Sequence, residues 1–561
     1  MKTDLYQNEL RVLRDGARDF ARKYPVLAPH LSGSSTDPDV ERILQGTAFL
    51  SAGIQERLDN DFPDFAQSIL RIIAPDYLKE IPATTIVEFS PRNILNNPVT
   101  IESGSKVDSK KISGRSCRFH ICRDVVVYPL TISNCNVLHE SNGSSIEVAM
   151  YNTSLANAEL SLSDLPLHLS GDYVVASQLY YLLTKHVKKV VLVAGNDEYN
   201  LPSDCLTSEG WNDTSLLENN SSDLNGYRRV QEYFINKFKF LFLNIGGLDN
   251  IGRLPKVFKI KFVLDQHAHN LNIDKSNVRL FCAPAVNLFD TDAEPIALDH
   301  KSYDMPINPV RNLDKSLTIN SIVSLHGQSR RSSEKMEYQS FSLAAKETGN
   351  NPVYELIQHY AGVNDQDNIL RVSYPNDMDM PPREVLTAKL KCSNGSLAGQ
   401  LKVGDVSVNT PDIPDLVSLQ NVSTISEYIA PVTGGRTLWK LITHLTVNYL
   451  PVANLDNLKT MLSLYNPTEQ SDTREHAANK KRIDSLQSLT EVPVERLQKG
   501  YLIRGRNLQI EVDGSSFASV GDLYLFGELL FTIFSQFNDI NSFLMLSLTN
   551  INNGEIMQWQ T

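Results

Sequence analysis

Thr84-Thr85-Ile86-Val87-Glu88-Phe89, set off by Pro82, is where the chain changes period. β-branched and aromatic residues crowd this stretch, which predicts a strand. Before it the apolar residues recur at helical spacing; after it strands predominate.

On the N-terminal side, Tyr6, Leu10, Leu13, Ala17, Phe20 and Tyr24 alternate at spacings of four and three residues. That is one seam of a helix in a register suited to packing on another helix. Asp4, Glu9, Arg11, Arg14, Asp15, Arg18, Asp19, Arg22 and Lys23 solvate the other faces. The plain reading is an amphipathic helix buried in its own domain. Tyr24-Pro25 ends it, because proline biases the preceding residue away from helix. A second helix starts at Asp37-Pro38-Asp39-Val40-Glu41, with a capping Asp and a Pro at the first helical position. A third runs from Phe62-Pro63 to Ala74-Pro75.

On the other side, Phe119–Tyr128, Val190–Ala194, Lys239–Ile245, Val257–Leu264, Val278–Phe281 and Leu386–Cys392 read as strands, and Trp439–Tyr449 as a half-exposed one. Helices are expected over Tyr173–Val187, Tyr227–Phe238 and Asn454–Tyr465. Glu209–Asn225 and Gly327–Lys335 read as polar loops, the first with a contact for Trp211. Thr468–Lys481 reads as a linker or the exposed start of a helix. The fold class expected is α+β: an N-terminal helical region (1–83), a β-rich mixed domain (84–310) and a C-terminal β-rich mixed domain (311–561).

With 561 residues, several cores are expected. Lys plus Arg number 53 against 65 Asp plus Glu, a net charge of -12, which weighs against nucleic acid as a partner. Met1–Asp15 has no apolar core for a secretory signal, and the greasiest run, Leu523–Phe534, is broken by Gly527 and Glu528. Six cysteines in so long a chain do not make a disulfide scaffold, so a cytoplasmic protein is expected.

Chemistry is thin. Gly247–Leu254 approaches a phosphate-binding loop but offers Arg253 and Leu254 where lysine and a hydroxyl belong. Cys117, His120, Cys122 and Cys135 match no common zinc spacing, and core packing of the thiols is the stronger reading. His267-Ala268-His269 lacks further ligands, and Asp299-His300 reads as a turn. No catalytic, cofactor-binding or metal residue is assigned, and no cofactor is expected.

The order of several motifs nevertheless carries a resemblance. Glu9-Leu10, Leu13-Arg14, Phe20-Ala21 and Tyr24-Pro25 are followed by Asp37–Arg42, Ala48-Phe49-Leu50, Leu58-Asp59, Phe62-Pro63, Ala74-Pro75 and Tyr77-Leu78. Then come Gly226–Phe234, Ala283–Phe289, Ala293–Ile296, Trp439–Leu445, Asn448–Leu450, Tyr524–Gly527 and Asn541–Phe543. In this sequence the chain resembles the TssF family, baseplate subunits of the bacterial type VI secretion system, almost from end to end. It departs at Lys301–Asn308, where an arginine-rich segment is usual, and at Cys392–Gly395, where a Cys-Thr-Asn-Arg turn is usual.

The resemblance implies a non-enzymatic assembly role. Two copies would pair with one TssG in a wedge that holds TssK and the sheath-linking TssE. Six wedges would surround the spike hub proteins, docked on the membrane complex at the inner face of the cytoplasmic membrane. There they form the platform for tail tube and sheath. Tyr6, Leu10, Leu13, Phe20 and Tyr24 are then the candidate partner-binding residues. A subunit of another phage-tail-like contractile machine, or a metal-dependent hydrolase, remains the alternative.

Overall fold

The computed structural model describes 78–92, 95–140, 143–154, 162–195, 197–212, 214–217, 225–249, 254–268, 271–310, 317–329, 335–341 and 351–362. It further describes 365–375, 383–431, 454–466, 473–498, 501–536, Asn538 and 542–561. Nearer the N-terminus it describes Gln7, Leu10, Arg11, Leu13, Arg14, Arg42, 45–51, Gln67, Ile69 and Leu70. The chain divides into two compact units, Met1–Leu78 with Val432–Asn448, and Lys79–Pro431 with Tyr449–Thr561. Every described residue of the first unit from Gln7 to Leu70 is helical. The expected helix starts at Asp37 and Phe62 and the strand at Trp439–Tyr449 lie outside the described residues.

The second unit is built mainly of sheets. Thr84–Pro91, the strand that opens it, sits between Cys282–Val286 and Val417–Asn421, both antiparallel to it. Arg118–Ile121, Lys106–Ser109 and Val406–Asn409 extend that sheet to six strands. Its strands come from both sides of position 310. Thr84–Phe89 is buried throughout, which is why β-branched residues run on without alternation.

A five-stranded antiparallel sheet takes Leu130–Glu140, Gly143–Asn152, Val257–Leu264, Val187–Ala194 and Asp197–Asn200. A four-stranded one takes Leu206–Ser208, Phe242–Ile245, Leu165–Leu169 and Val278–Leu280. In an eight-stranded sheet Glu384–Ser393 pairs with Thr318–Ser329 across the polar stretch that the sequence reads as loop from Gly327. Strand structure there runs to Ser329, so the expected loop is shorter.

Two expected elements are differently built. Phe119–Tyr128 is two strands, Arg118–Ile121 and Val125–Val127, with a turn between them where the exposed Asp124 accepts from the Ser103 amide at 2.7 Å. Lys239 belongs to the 3₁₀ turn Lys237–Phe240, and the strand begins only at Phe242. That turn is fixed by a buried ion pair between Lys239 and Glu232, whose carboxylate also accepts from the Leu216 amide at 2.8 Å.

Helices pack against the strands. α1 (Tyr173–Lys185) starts where Asp172 accepts from the Val174 amide at 2.7 Å, and α2 is Asn225–Ile235. α3 (Leu455–Leu464) is capped by Asn454, and α4 (Thr473–Asp484) settles the Thr468–Lys481 question in favour of a helix. α5 (Val520–Gln536) connects Tyr501–Val512 to the parallel strand Phe543–Asn550. Its greasy run is thus a core helix, with Leu523, Phe526, Leu529, Leu530 and Ile533 buried.

α1 and α5 approach closely. A Cβ on Gly521 would lie 2.0 Å from the Ser177 carbonyl oxygen, so only glycine permits this crossing. Polar groups lock it. Asp522, wholly buried, accepts from Arg482 of α4 at 2.9 Å, from the Tyr173 hydroxyl at 2.7 Å and from the Ala518 amide at 3.1 Å. One and a half turns on, the half-buried Glu528 accepts from the Tyr180 hydroxyl and from Trp211 Nε1, each at 2.8 Å. Glu80 is a third buried node, accepting from Ser393 and Tyr428 at 2.8 Å and from Thr318 at 3.1 Å. Burial raises its carboxyl above the ordinary value.

Candidate interaction surfaces

Among the described residues, two of the most exposed leucines meet on a β arm. Leu486–Gln498 and Tyr501–Val512 pair along their full length, down to Gln498 opposite Tyr501. The parallel neighbour Phe543–Asn550 reaches only as far as Gly505. Among the described residues, the four residue pairs beyond it have no third strand, a length of roughly 14 Å at ~3.4 Å per residue. Leu497 and Leu502 face each other near its end, 72% and 59% exposed. Behind them on the same face Arg504 pairs with Glu495 at 3.5 Å and Arg506 with Glu491 at 3.7 Å. Two strands alone are marginal in water, and an exposed leucine pair at their tip gains most when another surface covers it. The sequence reading passes over this arm; two β-rich runs around Lys499-Gly500 are the signal that marks it.

In the first unit, Phe49 and Leu50 are 70% and 68% exposed on a helical stretch whose Ala48 is buried. Leu10 is buried and Leu13 half-buried, both helical. Tyr6, Phe20 and Tyr24, the other candidate partner-binding residues, lie outside the described residues.

The sequence's chemical candidates are dispersed. Cys117 and Cys135 are buried free thiols, pushed up to about 11 and about 12 by desolvation, the range of inert packing cysteines. His120 Nδ1 lies 2.9 Å from the Leu288 carbonyl oxygen. Among the described residues no three His, Cys, Asp or Glu side chains are placed to share a metal ion. His267 is exposed and His269 lies outside the described residues. Asp299 accepts from the Lys301 amide at 3.1 Å and His300 takes a positive φ of 60°, so the Asp299-His300 step is a turn. Gly247 also takes a positive φ, 77°, and packs on Pro202; Asn250–Arg253 lie outside the described residues. No described helix is long and apolar enough to cross a membrane.

Comparison with known proteins gives one consistent answer. The family model described as "Type VI secretion system, TssF" matches residues 2–561. The type VI secretion system component TssF1 of Pseudomonas aeruginosa PAO1 is 26% identical, over 99% of this chain and 98% of that protein. A chain in the cryo-electron-microscopy structure of the type VI secretion system TssK-TssF-TssG baseplate subcomplex superposes with a TM-score of 0.78 at 25% identity. It matches over 93% of this chain and 98% of its own length. A chain of another structure, the baseplate complex from the type VI secretion system, shares the fold with a TM-score of 0.66 at 21% identity, over 100% and 98%. The family model spans every motif from Glu9-Leu10 to Asn541–Phe543, and the chain belongs to the TssF family of the type VI secretion system.

Proposed function

We propose that this protein is a structural subunit of the type VI secretion baseplate and acts without making or breaking a covalent bond. In this reading two copies join one TssG in a wedge, TssK and TssE attach to it, and wedges ring the spike hub. The assembly docks from the cytoplasm on the membrane complex and templates tube and sheath. The observation that carries the reading is the end-to-end likeness to a chain of the TssK-TssF-TssG subcomplex, 93% of one chain against 98% of the other. The exposed Phe49–Leu50 and Leu497–Leu502 pairs fit a protein whose work is done by its surfaces, since large apolar pairs in water mark contact sites.

The test is recovery of the tagged chain from its native cells under gentle conditions, followed by native mass spectrometry. The expected product holds two copies of this chain and one TssG, with TssK retained. A chain that comes alone, or with a stoichiometric metal ion and a turnover, overturns the proposal.

A further inference from the structure

The exposed end of the β arm carries its charges in two columns of opposite sign. Alternate residues of a strand share a face, and so do residues paired directly across two strands. On the face that holds Leu497 and Leu502, the strand Leu486–Gln498 therefore presents Glu491 and Glu495, while Tyr501–Val512 presents Arg504 and Arg506. Glu495 stands opposite Arg504, and two residues further out Leu497 stands opposite Leu502. The Arg504 and Glu495 side chains are 85% and 54% exposed, so their pairing at 3.5 Å leaves both charges largely in water. Pro493, between the two glutamates and opposite Arg506, is exposed as well. The face thus runs, toward its tip, from a charged pair to an apolar pair.

A partner surface of one sign would be attracted by one column and repelled by the other. A second arm, turned about a two-fold axis along the arm's length, is matched by both. Glu495 then lies over the partner's Arg504, and Arg504 over the partner's Glu495. The same rotation sets Leu497 over the partner's Leu502 and Leu502 over the partner's Leu497, so the leucines close on one another out of water. Such reciprocity, with i on j and j on i, is what a two-fold contact requires of a single surface. We infer that the two copies of this chain in a wedge meet arm to arm across this face, an inference that rests on the two-copy reading proposed above. A patch roughly 14 Å long and two strands wide covers far less than the ~800 Å² per partner of a stable interface. The arms therefore do not pair free chains; they close between copies already held on one TssG, where effective concentration stands in for area.

Two differently tagged copies co-expressed with TssG, and isolated through both tags in turn, give the complex for the test. With Leu497→Cys in one copy and Leu502→Cys in the other, a bismaleimide of about 8 Å reach should join them, since facing sheets lie about 10 Å apart. The link is read at positions 497 and 502 by peptide mass spectrometry. Adding Glu495→Arg to both copies sets like charges over each other at two places and should lower the yield about tenfold. Glu495→Arg in one copy with Arg504→Glu in the other restores opposite charges at both places and should bring the yield back, which a folding defect would not allow. No link in a complex that holds both copies, or a yield indifferent to these charges, overturns the arm pairing and leaves the baseplate reading standing. A complex with one copy, or without TssG, overturns the baseplate reading and this inference with it.

Discussion

Replacing Asp522 by alanine is the sharpest test of what holds α1, α4 and α5 together. Its carboxylate is wholly buried and answers three donors from three places: Arg482, itself only 7% exposed, the Tyr173 hydroxyl and the Ala518 amide. Removing one partner of a buried ion pair costs about 3–5 kcal/mol, because the other charge stays behind without compensation. The orphaned Tyr173 hydroxyl adds about 1–3 kcal/mol. These losses share one carboxylate and do not add in full, so the expected cost is about 4 kcal/mol. At a denaturant slope of about 3 kcal/mol per molar, the urea midpoint read by far-UV circular dichroism falls by about 1 M. Arg482→Met combined with Asp522→Ala removes both charges and should cost well under the sum of the single changes. An Asp522→Ala chain that loses less than about 1 kcal/mol, or a double variant that costs the full sum, refutes the reasoning.

The glycine at the α1–α5 crossing makes a second case. Gly521→Ala would drive a methyl into the Ser177 carbonyl and should lower the thermal midpoint by the equivalent of about 3 kcal/mol; an unchanged melt contradicts the packing described. For Glu528 the folded chain holds a proton that the unfolded chain releases between 4.5 and about 7. Its contribution is therefore complete below 4.5 and lost as pH rises through about 7, about 3 kcal/mol in all, and Glu528→Gln should remove that slope from the pH dependence of unfolding. Leu497→Lys with Leu502→Lys should change stability by no more than about 0.5 kcal/mol while reducing recovery of TssG or TssK in pull-downs; full recovery removes the arm from the interface. Leu13→Asp should cost several kcal/mol at a partner contact, and a folded variant that still co-purifies with its partner rejects that helix as a docking face.

Local pattern was legible and long-range pattern was not. Val257–Leu264 alternates between buried and less buried positions and Glu384–Ser393 does so almost perfectly, so both strands stand out from their neighbours. α1 and α3 announce themselves through Asp172 and Asn454, whose side chains cap the first turns. Lys239 misleads because a buried lysine looks like any other lysine until its glutamate is found. Leu523–Phe534 reads as a greasy run interrupted by a charge, whereas Glu528 is half-buried and its donor Trp211 lies 317 residues away. The candidate surface behaves likewise. Leucines at 497 and 502 carry no mark of exposure in the sequence; only the shortness of the third strand leaves them in water.

The six-stranded sheet sets a schedule for synthesis. Thr85 hydrogen-bonds to Ser423, 338 residues further on, and Val417–Asn421 is the strand that completes its side of Thr84–Pro91. At about 5–20 residues per second a ribosome takes tens of seconds to deliver that partner. Until residue 286 is made both sides of that strand are open, and from then until residue 421 one side stays open to any passing edge. Trigger-type holding factors, or swift capture by a companion polypeptide, are what such a translation order demands, and chains cut short before residue 417 should collect in inclusion bodies.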